Sequence, residues 1–460
     1  MPSSPIPPSL LEELRTAVGP DHVLVDPDLT AGFAVDWTGR FRGVAPAVVR
    51  PGSTAEVAAA VRACAAARFA IVPQGGNTGL VGGGVPLDGE VVVSLTRLDA
   101  LGEVDIAGGQ VTVGAGVTLA GLQRHVDRHG LAFGVDLAPR ESCTIGGMIA
   151  TNAGGINVVR YGTMRYQVMG VEAVLGDGSV VSHLAGLPKD NTGYDLAGLL
   201  TGSEGTLGIV TSARLRLVPR LDHRVTAGLG FGSLADAVSA VAPLRNSLPS
   251  LEAVELVLAD GVALVASTLG LEPPDALRAP AALIVEVAAA SDPIDELAAV
   301  VAELDLVGPP AVAITPDQRR RLWQVREGFA EAINRLGPPV KLDVSVPLAR
   351  TAAFVAELPA MLTPGLGLIV FGHLGDGNLH LNVTGVPMAD VDQIRSVERA
   401  VLEAVVAAGG SISAEHGIGT AKARYLHLCR SPAEIRVFRA IKAALDPYDI
   451  LNPHALLPPE

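Results

Sequence analysis

Cysteine is scarce in this 460-residue chain, with three residues (Cys64, Cys143 and Cys429) and no CxxC pair. Three such thiols cannot build a disulfide framework, which excludes a disulfide-stapled secreted scaffold and points to a reducing, cytoplasmic setting. Lysine is scarce too: Lys189, Lys341, Lys422 and Lys442 are the four among 34 basic residues. Arginine is therefore the default cation, and each lysine marks a place where a compact ammonium is wanted. Basic charge is also outweighed, 34 Lys and Arg standing against 48 Asp and Glu for a net charge of −14. The basic residues form no block, so nucleic acid, whose affinity comes from phosphate neutralisation, is not an expected partner. No segment runs to 18 uncharged apolar residues, and the start MPSSPIPPSLLEEL has no basic stretch followed by an apolar one. Neither a membrane span nor a signal peptide is expected, and any membrane contact is peripheral, at the inner face. With 49% hydrophobic and 18% charged residues, the chain is rich enough in apolar surface for two or three well-buried domains.

Glycine and proline, by contrast, are plentiful at 52 and 33 residues, and the glycines cluster. Clustered glycines mark surfaces where a ligand approaches the backbone closely. After a loose proline-rich start, apolar spacing predicts helices over 9–18 and 53–67, the second opened by a Ser/Thr cap with Glu56 three residues on. Short β-branched runs at 91–95, 111–113, 171–175, 179–182 and 209–217 alternate with short helices and glycine turns, an α+β pattern that Pro219 closes. From 220 to 446, helices over 234–244, 293–304 and 391–408 alternate with strands at 283–287 and 366–371, giving a second α+β domain. The tail LDPYDILNPHALLP is read as extended.

Three glycine runs lie in the first half. Residues 73–84, PQGGNTGLVGGG, follow an apolar strand and hold six glycines in twelve positions. Such a loop leaves backbone N–H groups to point at an anion, as a pyrophosphate cradle requires. No Gly-Lys-Ser/Thr follows, so it is not a P-loop, and standing alone it leaves a glycine-rich hairpin as the lesser reading. It is joined by CTIGGMIATNAGGINVVRYG at 143–162 and TGSEGTLGIVT at 201–211. A further strand leads into Gly114-Ala-Gly116 with Asp136 downstream, imitating a dinucleotide fingerprint, but Leu119 replaces the third glycine. A tight turn into a helix explains that stretch better.

Of ten histidines, three sit in a pattern. In LIVFGHLGDGNLHLNV (368–383) a strand, a turn signature and an alternating strand predict a hairpin. With Asp376 and Gly377 as the central turn residues, His373 faces His380 with β carbons about 4.5–5.5 Å apart, and Asn382 shares their face. Two opposed imidazoles suit metal chelation, and equally a simple hydrogen-bonded pair. SISAEHGIGTAK (411–422) offers Glu415 as a third ligand and His416 as a fourth ligand or an acid–base group. Upstream, Arg326 on a helix and Lys341 on an apolar strand are cations suited to an acidic small molecule, the alternative for either being a solvated charge or half of an ion pair.

Together these motifs, PQGGNTGLVGG, TIGGMIATNAGG, GSEGTLGIVT, GHLGDGNLH, AEHGIG and ILNP, resemble the FAD-linked oxidases of the vanillyl-alcohol oxidase / para-cresol methylhydroxylase superfamily, in its 2-hydroxyacid dehydrogenase branch. The resemblance runs from about residue 30 to the tail and is weakest between 220 and 310. It implies an α+β chain: a two-subdomain FAD-binding domain (1–219, joined by the tail 447–460) followed by an α+β cap domain with an antiparallel sheet (220–446) for substrate and metal. By resemblance, non-covalent FAD is held at Pro73, Gly75, Gly76, Asn77, Thr78, Gly79, Gly82 and Gly83 around the pyrophosphate. Thr144, Gly146, Gly147, Asn152, Gly154 and Gly155 line the dinucleotide, and Glu204, Gly205, Ile209 and Asn452 lie at its flavin or adenine end. His373, His380 and Glu415 are the implied ligands of a divalent metal, zinc before manganese or iron. His416 is the implied base, and Arg326, Lys341 and Asn382 hold the substrate. The implied reaction is oxidation of a D-2-hydroxy acid to the 2-oxo acid by hydride transfer to flavin. VREG followed by the lysine strand favours D-2-hydroxyglutarate, with D-lactate or glycolate as alternatives and a metal-dependent hydrolase as a remote one. One departure is Ala330, where the hydroxyglutarate enzymes carry a threonine four residues after the arginine; its absence removes one substrate hydrogen bond. Electrons would pass on to an electron-transfer flavoprotein or a quinone, and a homodimer is an open assembly.

Overall fold

Residues 5–459 are described by a computed structural model, so the first four residues of the proline-rich start lie outside it. Of the described residues, one unit takes those up to Gly154, Gly162–Arg220 and those from Glu415 onward; the other takes Gly155–Tyr161 and Leu221–Ala414. Two segments thus fall differently from the sequence boundaries. Residues 155–161 go with the second unit because Arg160 donates to the carbonyls of Ser250 (3.0 Å) and Ala288 (2.7 Å), and the Tyr161 hydroxyl donates to Glu252 (2.9 Å). Residues 415–446 go with the first, where Val81 O accepts the N–H groups of Thr420 and Ala421, and Leu445 O accepts that of Gly176.

The first unit holds two larger sheets. One has four strands in the order Val23–Leu24, Val48–Val49, Val91–Ser94, Ile71–Gln74, parallel across its last three. Helix Thr54–Ala67 opens where the sequence puts its cap: Ser53 Oγ accepts the Glu56 N–H at 3.2 Å, an interaction worth about 1 kcal/mol. Its face of Val57, Val61 and Cys64 is fully buried against Val91, Val93 and Ile71. The second sheet is antiparallel, in the order Leu101–Asp105, Gln110–Gly114, Ile209–Arg216, Val168–Val174, Val180–His183. Helices Leu119–Asp127 and Ile145–Thr151 supply Leu119, Leu122, Ile145 and Ile149 to its core.

The tail, read as extended, is a chain of turns. Leu451 pairs with Ile71, and Asp449, Asn452 and Leu456 then take positive φ of 51°, 46° and 67°. Buried Lys442 fixes this path by donating to Leu451 O (2.8 Å) and to Asp446, whose carboxylate accepts the Leu451 N–H at 2.8 Å.

The second unit is one seven-stranded antiparallel sheet. In chain order its strands are β1 (His223–Phe231), β2 (Leu251–Leu258), β3 (Ala281–Ala289), β4 (Ala311–Ala313), β5 (Val340–Ser345), β6 (Gly367–His373) and β7 (Asn378–Thr384), laid out β4-β1-β3-β2-β6-β7-β5. Helices Ala259–Leu269, Pro316–Glu327 and Phe329–Arg335 cover one face through Val262, Val265, Leu322, Val325, Phe329 and Ile333. Among the described residues no helix is long and apolar enough to cross a membrane.

Candidate functional site

The β6–β7 hairpin forms with a register two residues from the expected one. Phe371, not His373, lies opposite His380, and the turn takes residues 374–377. Gly377 at φ 82° and the Asp376 carboxylate, accepting the Asn378 N–H at 3.1 Å, make this longer turn. A shift of two leaves every side chain on its face. The histidines are diagonal neighbours, with ring centroids 5.0 Å apart and edge to face.

Across the sheet, paired positions share a face, which gathers the predicted residues of this unit. Glu255 is opposite His373, Asp343 opposite His380, and Lys341 opposite Asn382. Each histidine is backed by a carboxylate on the adjoining strand. His373 Nδ1 lies 2.6 Å from Glu255 Oε1, while Asp343 Oδ1 stands 3.6 Å from His380 Nδ1. Asp343 Oδ2 also accepts the N–H of Ala414 at 3.1 Å, so the chain leaves this sheet one residue before Glu415. Helix Pro316–Glu327 adds Arg326, whose Nε donates to Glu255 Oε2 at 2.7 Å while its guanidinium carbon sits 4.5 Å from the Phe371 ring centre. Glu255 is fully buried. Burial alone would push its carboxyl up, but His373 and Arg326 outweigh this and hold it below the usual carboxylate range. An anionic Glu255 fixes Nδ1 of His373 as the donor and turns the Nε2 lone pair outward, as ligating imidazoles require. Burial pushes the Lys341 ammonium down from its ordinary value.

Sequence reasoning missed Glu255 and Asp343. The signal that singled out Lys341, a charge within an apolar strand, was present for both, in LEAVELVL and VKLDVS.

In the first unit the glycine runs converge. A β carbon on Gly76 would lie 1.8 Å from Ser142 O, and one on Gly75 would lie 2.2 Å from Thr144 Oγ1, so the first run lies against the second. Thr144 caps helix Ile145–Thr151 through the Gly147 N–H at 3.3 Å, and Asn152 ends it at φ 50°. The Asn77 amide donates to Val35 O, pinning the loop. Among the described residues, none of the N–H groups of residues 75–79 meets a protein acceptor. A run of such donors with no β carbons in the way fits the phosphates of FAD. Gly82 is held against Phe41, and Gly205, at φ 72°, against Pro73. Asn452 donates to Gly83 O (2.8 Å) and to Glu204 O (2.7 Å), bringing the tail to the first and third runs. Gly146 lies on Ala115, and Gly154 is buried. Ile209 is 1% exposed and belongs to the hydrophobic core, while Gly155 opens the segment that goes with the second unit. Glu415 and His416 fall in this first unit, Oε1 and Nε2 lying 3.8 Å apart.

Comparison with known proteins gives two family models that meet the unit boundary near residue 220, the second running on through the 415–456 segment that falls in the first unit. A family model described as FAD binding domain matches residues 45–183, and one described as FAD linked oxidases, C-terminal domain, matches 220–456. The chain is 38% identical to the mitochondrial D-2-hydroxyglutarate dehydrogenase of Bos taurus over 96% of its length and 82% of that protein. It is 39% identical to the D-2-hydroxyglutarate dehydrogenase of Xanthomonas citri pv. viticola over 96% of both chains. Among solved structures, p-cresol methylhydroxylase with substrate bound superposes with a TM-score of 0.77 at 18% identity, covering 97% of this chain and 96% of the other. Alkyldihydroxyacetonephosphate synthase superposes with a TM-score of 0.76 at 16% identity, covering 98% and 85%. At these identities the two structures speak for the fold.

Proposed function

The chain belongs to the FAD-linked oxidases, and from that membership we propose that it oxidises D-2-hydroxyglutarate to 2-oxoglutarate with the help of a divalent cation. The observation that carries the substrate is the sheet face on which Arg326, Lys341 and Asn382 share a surface with two carboxylate-backed histidines. Two cations suit two carboxylates, where lactate or glycolate would offer one.

In this reading FAD, cradled by the N–H groups of residues 75–79, supplies the two-electron acceptor, and the cation, held by His373, His380 and Glu415, supplies Lewis acidity toward a hydroxyl. Zinc suits two imidazoles and a carboxylate, and manganese or iron would also fit. Glu255 orients the imidazole of His373 by hydrogen bonding and raises its basicity as a ligand, and Asp343 stands behind His380. An imidazole nitrogen of His416 takes the proton of the 2-hydroxyl. Arg326, braced by Glu255 and Phe371, keeps part of its donor fork for a carboxylate, and the Lys341 ammonium takes another. Asn382 fixes the reacting face by hydrogen bonding. The final electron acceptor would be an electron-transfer flavoprotein or a quinone. None of the three cysteines is in a disulfide, and burial pushes Cys64 up to about 12 and Cys143 up to about 11, which keeps these two inert.

The test is an anaerobic absorbance scan of purified protein with D-2-hydroxyglutarate, D-lactate and glycolate, before and after chelator treatment. Bleaching by D-2-hydroxyglutarate alone, lost after chelation while the flavin bands persist, is expected. Preferential bleaching by either monocarboxylate overturns the substrate, and a colourless protein unable to take up FAD overturns the reaction.

A further inference from the structure

The resemblance places Glu204 at the flavin or adenine end of the cofactor, yet its carboxylate is occupied elsewhere. Glu204 Oε1 accepts the N–H of Ile418 at 2.8 Å, and Oε2 accepts that of Gly419 at 2.6 Å. The residue is 8% exposed and sits at φ 52°, a left-handed conformation that a glutamate takes only where its surroundings over-determine it. Its own carbonyl accepts from Asn452, which also binds Gly83 O. The turn it holds is built around it. Gly417, at φ 84°, leaves only 3.0 Å between its missing β carbon and Glu204 Oε1, and Gly419 packs on Val81, whose carbonyl accepts the N–H groups of Thr420 and Ala421. The 417–421 turn is therefore clamped between one carboxylate and one carbonyl, directly after Glu415 and His416.

We propose that Glu204 is a positioning residue for the reaction: by tethering the N–H groups of Ile418 and Gly419 it fixes the loop that presents Glu415 and His416, and it does not act through the flavin. The proposal rests on the functional reading above in taking His416 as the base. Burial pushes Glu204 up to about 7, the N–H groups of Ile418 and Gly419 and the buried Lys422 ammonium pulling the other way, so that above this pH the tether is an anion. A charged acceptor for two N–H groups is the strong kind of hydrogen bond, and losing one of a pair leaves a buried donor facing an amide.

The test is Glu204→Gln in the full-length, FAD-loaded protein. Gln keeps the shape but offers one acceptor oxygen, so amide exchange at 418 and 419 is expected to quicken by about 10-fold or more. The kcat is expected to fall about 10- to 100-fold with FAD stoichiometry unchanged, since His416 and Glu415 are displaced together while the contacts to the cofactor remain. Glu204→Asp, which keeps the charge but withdraws it from the two N–H groups by one methylene, should give the same signature and stands in should the Gln variant fail to fold. Unchanged exchange at 418 and 419 overturns the tether. FAD loss in proportion to activity loss overturns it in favour of a cofactor contact, and exchange quickened across the whole first unit reduces it to general stability. The exchange measurement uses no substrate, so it decides on the tether even if D-2-hydroxyglutarate proves not to bleach the flavin.

Discussion

The two units build their sites from opposite materials. In the first, the FAD cradle proposed above is backbone: among the described residues the N–H groups of 75–79 have no protein acceptor, and they are reached only because Gly75 and Gly76 have no side chain. In the second it is side chain, with Glu255, His373, Arg326, Asp343 and His380 held on one sheet face by mutual contacts. A backbone site tolerates changes of chemistry nearby but no added volume. A side-chain site tolerates volume at its rim but not the loss of a charge, because each buried charge is balanced by another. The comparison says where each class of substitution should do damage.

The sharpest break is Gly76→Val in the first unit. Its β carbon would fall 1.8 Å from Ser142 O, and no rotamer relieves a clash with backbone, so the run must move and the N–H cradle opens. The expected protein is colourless, with no flavin absorbance after incubation with excess FAD. A variant that purifies yellow would sink the backbone account of this unit. Next comes His416→Ala, which should lower kcat by about 10²- to 10⁴-fold, the usual worth of a general base. Flavin and metal content should stay at wild-type levels, and metal lost along with activity would make His416 a ligand instead.

Glu255→Gln tests the side-chain site and should cost less. The amide still accepts from one partner, but His373 loses the anion that fixes its tautomer, so metal affinity or turnover should drop about 10- to 100-fold, as for other partners of ligating histidines. The flavin spectrum should be unaffected, since no residue of the glycine runs changes. Equal metal content and unchanged turnover would show that the carboxylate serves only to balance Arg326.

What the sequence made legible follows the same division. Glycine runs announce themselves because their requirement is local, and so does the Ser53 cap, which concerns the four residues 53–56. The hairpin was legible as to face but not register: side-chain alternation survives a shift of two, and only the turn, four residues at 374–377 where two were expected, sets which residues are opposite. Glu255 and Asp343 became site residues through strand neighbours 118 and 37 positions away in the chain, a distance no local pattern encodes, although a carboxylate inside an apolar strand was a usable warning. The role of Glu204 was hidden for the same reason, its partners lying more than two hundred residues on. The tail misled because its prolines suggested an extended path, whereas buried Lys442 and Asp446 turn it back.

The smallest effect, and the finest test of the side-chain site, concerns Lys341. Burial favours the neutral amine, so its proton is lost at a lower pH than for an ordinary lysine. Binding of a substrate carboxylate needs the ammonium. Affinity should therefore be full at pH values below the lowered transition and fade as pH rises through it, with KM climbing while kcat stays level. Lys341→Ala should raise KM by about 10-fold at neutral pH, the worth of one charge-assisted contact, and flatten the rise. Lys341→Arg should keep its charge throughout, so KM would be flat with pH even where the arginine fits imperfectly. A KM that still climbs in the arginine variant would assign the titration to another group and remove Lys341 from the substrate contacts.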